Sequence, residues 1–242
     1  MPASRLSPIV LVAALVAAAL VVCGTVCAGV IGVNFVGRAS YSDSVMDPAE
    51  TAGAVVQANW NNASGGVGTL SALVDETGTV TGAGVQWRSE ADYLGIANTP
   101  GDRRLMRGHV SRRVDEAITV TVRGLDTLRP GGLYDVLVYF DAWNPAVDWA
   151  GTYAIGNHVL VGTDRAGTHF DGAFVEDAGP GGNYVRFRDL TADTFTLTVE
   201  VVDGSGGSVA VNALQIVHTP EPAALALLAV GLAAGLLRRR GA

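Results

Sequence analysis

Ile118-Thr-Val-Thr-Val122 and Phe195-Thr-Leu-Thr-Val-Glu-Val201 alternate apolar and polar residues without a break. Successive side chains of a strand point to opposite faces, so each segment predicts a strand with one face in a core and one toward water. The same alternation, or a run of β-branched residues, marks 30–36, 69–74, 79–87, 133–140, 184–188 and 209–217, and widens the two quoted segments to 117–123 and 194–202. Gly-rich turn signals stand among them: Asn62-Ala-Ser-Gly-Gly66, Arg129-Pro-Gly-Gly132, Gly179-Pro-Gly-Gly182 and Asp203-Gly-Ser-Gly-Gly207. Eight or more short strands with no repeat of blade length predict an all-β chain, an antiparallel β-sandwich of jelly-roll type rather than a propeller. Only 102–113, with Leu105, Met106 and His109 at helix-like spacing, predicts a helix, and a short one.

Composition agrees. The 242 residues are 49% hydrophobic and 16% charged, with 31 Gly and no lysine. Soluble domains are about a quarter charged and about 7% Gly, so the surplus of Gly suits many tight turns. Much of the hydrophobicity lies at the two ends, which read as addresses.

At the N-terminus, Arg5 precedes an apolar stretch from Ile9 to Val22 and then Cys23-Gly-Thr-Val-Cys-Ala28. This pattern predicts a secretory signal peptide over 1–28, with Val26 and Ala28 at the −3 and −1 positions of the cleavage site. Cleavage there removes Cys23 and Cys27, both cysteines of the chain. The exported domain, 29–219, then has neither disulfide nor thiolate-bound metal, and its fold rests on its own core.

At the C-terminus, Pro220-Glu-Pro222 leads into the apolar run Ala223 to Leu237, followed by Arg238, Arg239 and Arg240. Fifteen helical residues span about 22 Å, short of a hydrocarbon core of about 30 Å, and insert where the bilayer thins or the arginines snorkel. The run predicts a short transmembrane helix, and the three arginines a stop that stays cytoplasmic. The order of tripeptide, apolar helix and Arg cluster over 220–242 resembles the PEP-CTERM sorting signal of exported bacterial proteins. The resemblance implies an exosortase-type membrane processing enzyme as partner, Pro220, Glu221 and Pro222 as its recognition motif, and Arg238 to Arg240 as the membrane stop. It also implies a route from the inner membrane, with the domain outside the cytoplasm, to the cell surface or beyond.

The domain itself resembles uncharacterised exported PEP-CTERM proteins with galactose-binding-type jelly rolls. Ile31-Gly-Val-Asn-Phe35, Gln57-Ala-Asn-Trp-Asn-Asn62, Leu133-Tyr-Asp-Val-Leu-Val-Tyr-Phe-Asp141 and Val211-Asn-Ala-Leu-Gln-Ile-Val217 carry that resemblance. These are framework residues, so the resemblance implies a fold and no site.

Chemistry-bearing motifs are sparse. His109, His158, His169 and His218 share no zinc-ligand spacing; His158 and His169 either converge across a hairpin or, as is commoner, stand as solvated or edge-strand histidines. There is no Gly-x-Ser-x-Gly elbow, and no catalytic residue is nominated. The stretch Asp141-Ala-Trp-Asn-Pro-Ala-Val-Asp-Trp149 is the richest. Asp141, Asn144 and Asp148 supply hard oxygen ligands that suit calcium, or else cap a turn; calcium is the one cofactor indicated. Trp60, Asn61, Trp143, Asn144 and Trp149 form the candidate glycan-binding set, because sugar faces stack on rings while hydroxyls bond amides and carboxylates. The alternative reading has Trp60, Trp143 and Trp149 plugging the ends of the core.

Of the 16 basic and 23 acidic residues, four Arg and one Glu belong to the two end segments, leaving 12 and 22, a net charge near −10. Such a domain repels nucleic acid. Arg103, Arg104, Arg107, Arg112 and Arg113 run against this balance and read as a paired, solvated face or as contacts for acidic surface polysaccharide. The expected function is that of a non-catalytic, exported cell-surface or matrix protein. A carbohydrate-binding module using the Trp loops is the alternative, and a glycan hydrolase with two opposed carboxylates the third reading.

Overall fold

The computed structural model describes residues 29–38, 42–112, 116–127, 132–142, 146–177, 181–205 and 207–219. The segments read as signal peptide and as transmembrane helix lie outside the described residues. Gly29–His218 forms one compact unit, nearly all of it β, as the alternation predicts.

Fourteen strands among the described residues, numbered along the chain, make three sheets. The five-stranded sheet has the order β11 (Tyr184–Leu190), β8 (Tyr134–Tyr139), β14 (Ala213–His218), β1 (Val30–Gly37), β2 (Asn61–Ser64). The six-stranded sheet runs β10 (His158–Asp164), β9 (Trp149–Ile155), β12 (Phe195–Val201), β7 (Ile118–Arg123), β4 (Gly84–Arg88), β3 (Val67–Leu70). A small sheet joins β13 (Val209–Val211), β6 (Gly108–Arg112) and β5 (Ala91–Leu94). Pairing is antiparallel throughout except between β1 and β2, which run parallel.

Two apolar layers result. Val33, Phe35, Val136 and Val138 of the five-stranded sheet meet Val120, Val122, Leu197 and Val199 of the six-stranded sheet in the main core. The odd-numbered residues of Phe195–Val201 and the even-numbered ones of Ile118–Arg123 point inward, while Thr196, Thr198, Thr119 and Thr121 face out. The opposite face of the five-stranded sheet is also covered, by a second layer with Trp60, Leu105, Met106, Leu137, Tyr139 and Phe170. β8 and β14 are consequently buried at every residue, which is why 133–140 reads as a nearly continuous apolar run rather than a clean alternation.

Several expectations are corrected. In the stretch 102–113 the helix, α1, is confined to Asp102–Leu105, and Gly108–Arg112 is strand β6. A single turn suffices for Leu105 and Met106 to reach the second layer, and His109 then enters a fully buried strand. The run 209–217 divides at Asn212 into β13 and β14. β2, β5, β6, β9 and β10 are additional strands, too polar or too mixed to show clear alternation. Trp60 is 4% exposed, its indole N–H donating to the Gln57 carbonyl at 3.3 Å. It packs on Gly32, where a Cβ would overlap the ring. Its ring is thus a core plug of the second layer and offers no face to a sugar.

Candidate functional site

β8 ends at Tyr139 and the chain turns at Asp141 into the loop singled out by sequence. Asn212, fully buried between β13 and β14, fixes that turn. Its side-chain oxygen accepts the Asp141 backbone N–H at 2.7 Å, and its amide nitrogen donates to the carbonyls of Met106 (2.8 Å) and Gly108 (3.1 Å). Its backbone carbonyl accepts from Phe35 N and its N–H donates to Tyr139 O. One residue, through side chain and backbone together, thereby ties the end of α1, β6, β8 and β1 to the start of the loop.

The Asp141 carboxylate is 4% exposed. Its Oδ2 accepts the Phe170 N–H at 2.6 Å, while Oδ1 faces His169 Nδ1 at 3.9 Å, beyond hydrogen-bond reach, and has no hydrogen-bond partner among the described residues. Burial pushes its pKa up to about 7; the Phe170 amide and the Arg103 charge act in the opposite direction and only partly offset it. A cleft of about 210 Å³ opens here, lined by Asp141, Asp164, Arg165, His169, Phe170, Asp171 and Asn183 among others.

Its other acids are engaged by backbone. Asp164 Oδ2 accepts from Ala142 N at 2.9 Å, and Asp171 Oδ1 from Ala173 N at 3.1 Å. Just beyond them, Asp177 Oδ2 accepts from Thr163 N at 2.8 Å. Asn183 fastens the far wall through bonds with Ala173 O and Val175 N, and Phe170 and Phe174 pack at 4.8 Å between centroids behind it. The cleft is a polar mouth over an aromatic floor.

The sequence-derived candidates distribute unevenly around this cleft. Trp149 is half-buried and, as the register partner of Asp164 in β9–β10, stands beside it. Trp143 and Asn144 lie outside the described residues. Asn61 is structural: it bonds Gly32 O, Val74 O and Val74 N. The two described members of the calcium set do not share a centre, since Asp148 is exposed and its Oδ1 accepts from Ala166 N, while Asp141 turns inward to Phe170. Among the described residues no group of three or more His, Cys, Asp or Glu side chains is placed to hold a metal.

His158 and His169 do not meet. His158 follows the β9–β10 turn, six residues along the strand from Asp164 and hence about 20 Å from it. Of the Arg cluster, Arg104 pairs with Glu50 at 2.8 Å and Arg107 with Asp43 at 2.7 Å, both arginine side chains being partly buried rather than solvated, Arg112 is buried, and Arg113 lies outside the described residues. Arg165 and Asn183 carry no sequence signal, and His169 stands out in the sequence only as a partner for His158. They come together because 164–177 and 181–183 lie over the end of β8, and no spacing within the chain announces that.

The cleft and the two ends of the domain, Gly29 and His218, occupy opposite poles. Register pairs Tyr139 with Ala213 and Tyr134 with His218, and Val30 with Val217. Gly29 and His218 are therefore at one end of the sheet and Asp141 just beyond the other.

Comparison with known proteins adds the following. Residues 218–240 match the PEP-CTERM protein-sorting motif, so the chain carries that motif at its C-terminus. No curated protein matches the chain. Among solved structures it is similar to the CBM36-1 domain of a multidomain xylanase from the hindgut metagenome of Trinervitermes trinervoides, at 13% identity and TM-score 0.29, over 53% of this chain and 88% of that one. It is also similar to the CBM22-1 xylan-binding domain from Paenibacillus barcinonensis, at 12% and 0.28 over 58% and 83%. A third similarity is to Bacteroides uniformis beta-glucuronidase 2, at 9% and 0.33 over 67% and 20%. Among the described residues no helix is long and apolar enough to cross a membrane; the run 223–237 is not among them.

Proposed function

We propose that this chain is an exported protein, delivered through its C-terminal sorting motif and an exosortase-type enzyme to the cell surface or matrix, whose β-sandwich binds a saccharide in the Asp141 cleft without cleaving it. The observation that carries the binding role is Asp141 itself: a carboxylate 4% exposed, at the wall of a cleft, with one oxygen that no described residue satisfies. Leaving a buried acceptor open costs about 1–3 kcal/mol, more when it is charged, and a ligand donor removes that cost. Sugar hydroxyls are such donors, and Phe140 and Phe170 supply apolar lining beneath them. The non-catalytic part of the proposal is supported by the neighbouring acids, Asp164 and Asp171, whose oxygens accept backbone amides. A glycosidase needs one carboxylic acid and one carboxylate free to act across the bond.

The test is a glycan-array screen of the full chain and of Asp141→Asn, with calcium and again with chelator, beside an assay for newly released reducing ends. Retention of a defined glycan, lost in the variant and without product release, is the expected result. Retention that vanishes in chelator would assign calcium to the loop as well. A Trp143→Ala, Trp149→Ala double variant that binds normally would remove the Trp residues from the site. Silence on the array in every arm would leave a structural surface role alone.

A further inference from the structure

The unsatisfied oxygen of Asp141 does more than indicate a ligand; its surroundings select one. Among the described residues the lining of the cleft holds three carboxylates, Asp141, Asp164 and Asp171, against the guanidinium of Arg165, with the charge of Arg103 also acting on Asp141. Asp164 and Asp171 are held at the wall by the backbone amides of Ala142 and Ala173, so their charges are fixed in place. The Oδ1 of Asp141 is left facing the Nδ1 edge of His169 across 3.9 Å. A donor would reach that oxygen by displacing the His169 ring, which is 28% exposed. A hydrogen bond from a charged donor to a carboxylate is about twice as strong as a neutral one, and the low-dielectric wall enlarges the difference. A hydroxyl satisfies Oδ1; an ammonium satisfies it and balances the acid excess.

Resting on the saccharide reading above, we propose that the cleft is selective for an amino sugar with a free amine, the ammonium taking the Oδ1 of Asp141. In an envelope or matrix the corresponding polymer is a glycan carrying unacetylated amino groups. This chain, with a domain charge near −10, is suited by sign to approach it.

The experiment uses the full chain in a polyoxyethylene detergent, which contributes no sugar, and three probes titrated calorimetrically at pH 7.5: a β-1,4-linked glucosamine trimer, its fully N-acetylated form and the glucose trimer. The expected result is that the amino trimer binds at least tenfold more tightly than either other trimer. Asp141→Asn reduces that ratio to within twofold, and Asp171→Asn, a change at the outer wall, lowers it about threefold. Equal affinity for all three trimers, lost in Asp141→Asn, would overturn the ammonium assignment and leave the saccharide site standing. An amino preference that survives both variants would overturn it too, by placing the amine elsewhere. Failure of all three to bind would overturn the amino-sugar assignment, while the saccharide reading falls only with silence on the glycan array as well. Should Asp141→Asn not fold, as judged by its circular dichroism, the Asp171→Asn ratio decides: no change overturns the assignment.

Discussion

Asn212 is the residue on which the loop geometry hangs. In the sequence it looks like a polar interruption of an apolar strand, Val209 to Val217. In the fold it is fully buried, and its side chain satisfies three backbone groups that otherwise have no water to turn to. Asn212→Leu fills the space but leaves the Asp141 N–H and the Met106 and Gly108 carbonyls without that partner. Each orphaned buried group costs about 1–3 kcal/mol, partly relieved by relaxation, so a loss of about 3 kcal/mol is expected. Urea denaturation checks it: the midpoint falls with an unchanged slope. Single residues also mark what the sequence could not show. The aromatic-beside-amide pattern around Trp60 fits a sugar platform and a core plug equally well. What decides between them is Gly32, 28 positions away, whose missing side chain makes room for the ring.

Elements were legible in proportion to how one-sided their burial is. β7 and β12, with one face wet, declare themselves by strict alternation. β8 and β14, buried on both faces by two apolar layers, still show as β-branched runs. β9 and β10 escaped, because the outward face of β10 carries Val159 and Val161, both exposed, which blurs the period. The signal that finds them is the dipeptide between: Gly156-Asn157 joins Ile155 to His158 as a two-residue hairpin loop, with Gly156 at φ 57°. A positive φ at the first central position is the mark of a type II′ turn and favours Gly. A Cβ at Gly156 meets nothing within 4 Å, so the cost of Gly156→Ala is conformational alone. A loss of about 1 kcal/mol is expected, read as a lower thermal midpoint. Gly162→Ala in the same hairpin, where a Cβ would press on Phe140 and Tyr153, should cost more.

At the scale of the whole domain, two buried titratable groups pull stability in opposite directions. Asp141 is pushed up to about 7 by burial, so between about pH 4 and 7 the folded state holds a proton that the unfolded state has released. Its contribution is complete below the unfolded value and lost as pH rises through about 7. His169, Arg103 and the acids and arginine of the cleft are the charges around it. His109, fully buried in β6 against Tyr93, is lowered to about 4 by burial, so between about 6.5 and 4 the unfolded state binds the extra proton. Its contribution is complete above about 6.5 and lost on acidification toward 4. Over the shared window the two slopes oppose each other. Asp141→Asn should therefore unmask a domain that weakens on acidification, and His109→Gln one that weakens as pH rises from 4 to 7. Chemical denaturation at half-unit pH intervals measures both; parallel profiles for the two variants would exclude this account.

The pairing of the first strand with the last has a mechanical consequence. His218 N donates to Gly29 O at 3.0 Å, and β1 and β14 run antiparallel from that point. Tension applied between the two ends of the domain pulls across the ladder at its first rung rather than along its length. The bonds break in succession, as a zip opens, and not together, as in shear. Loaded at both ends, the sandwich yields from Gly29 and His218 at low force, with the Asp141 pole the last to feel the pull. Held by one end alone, it carries no such load.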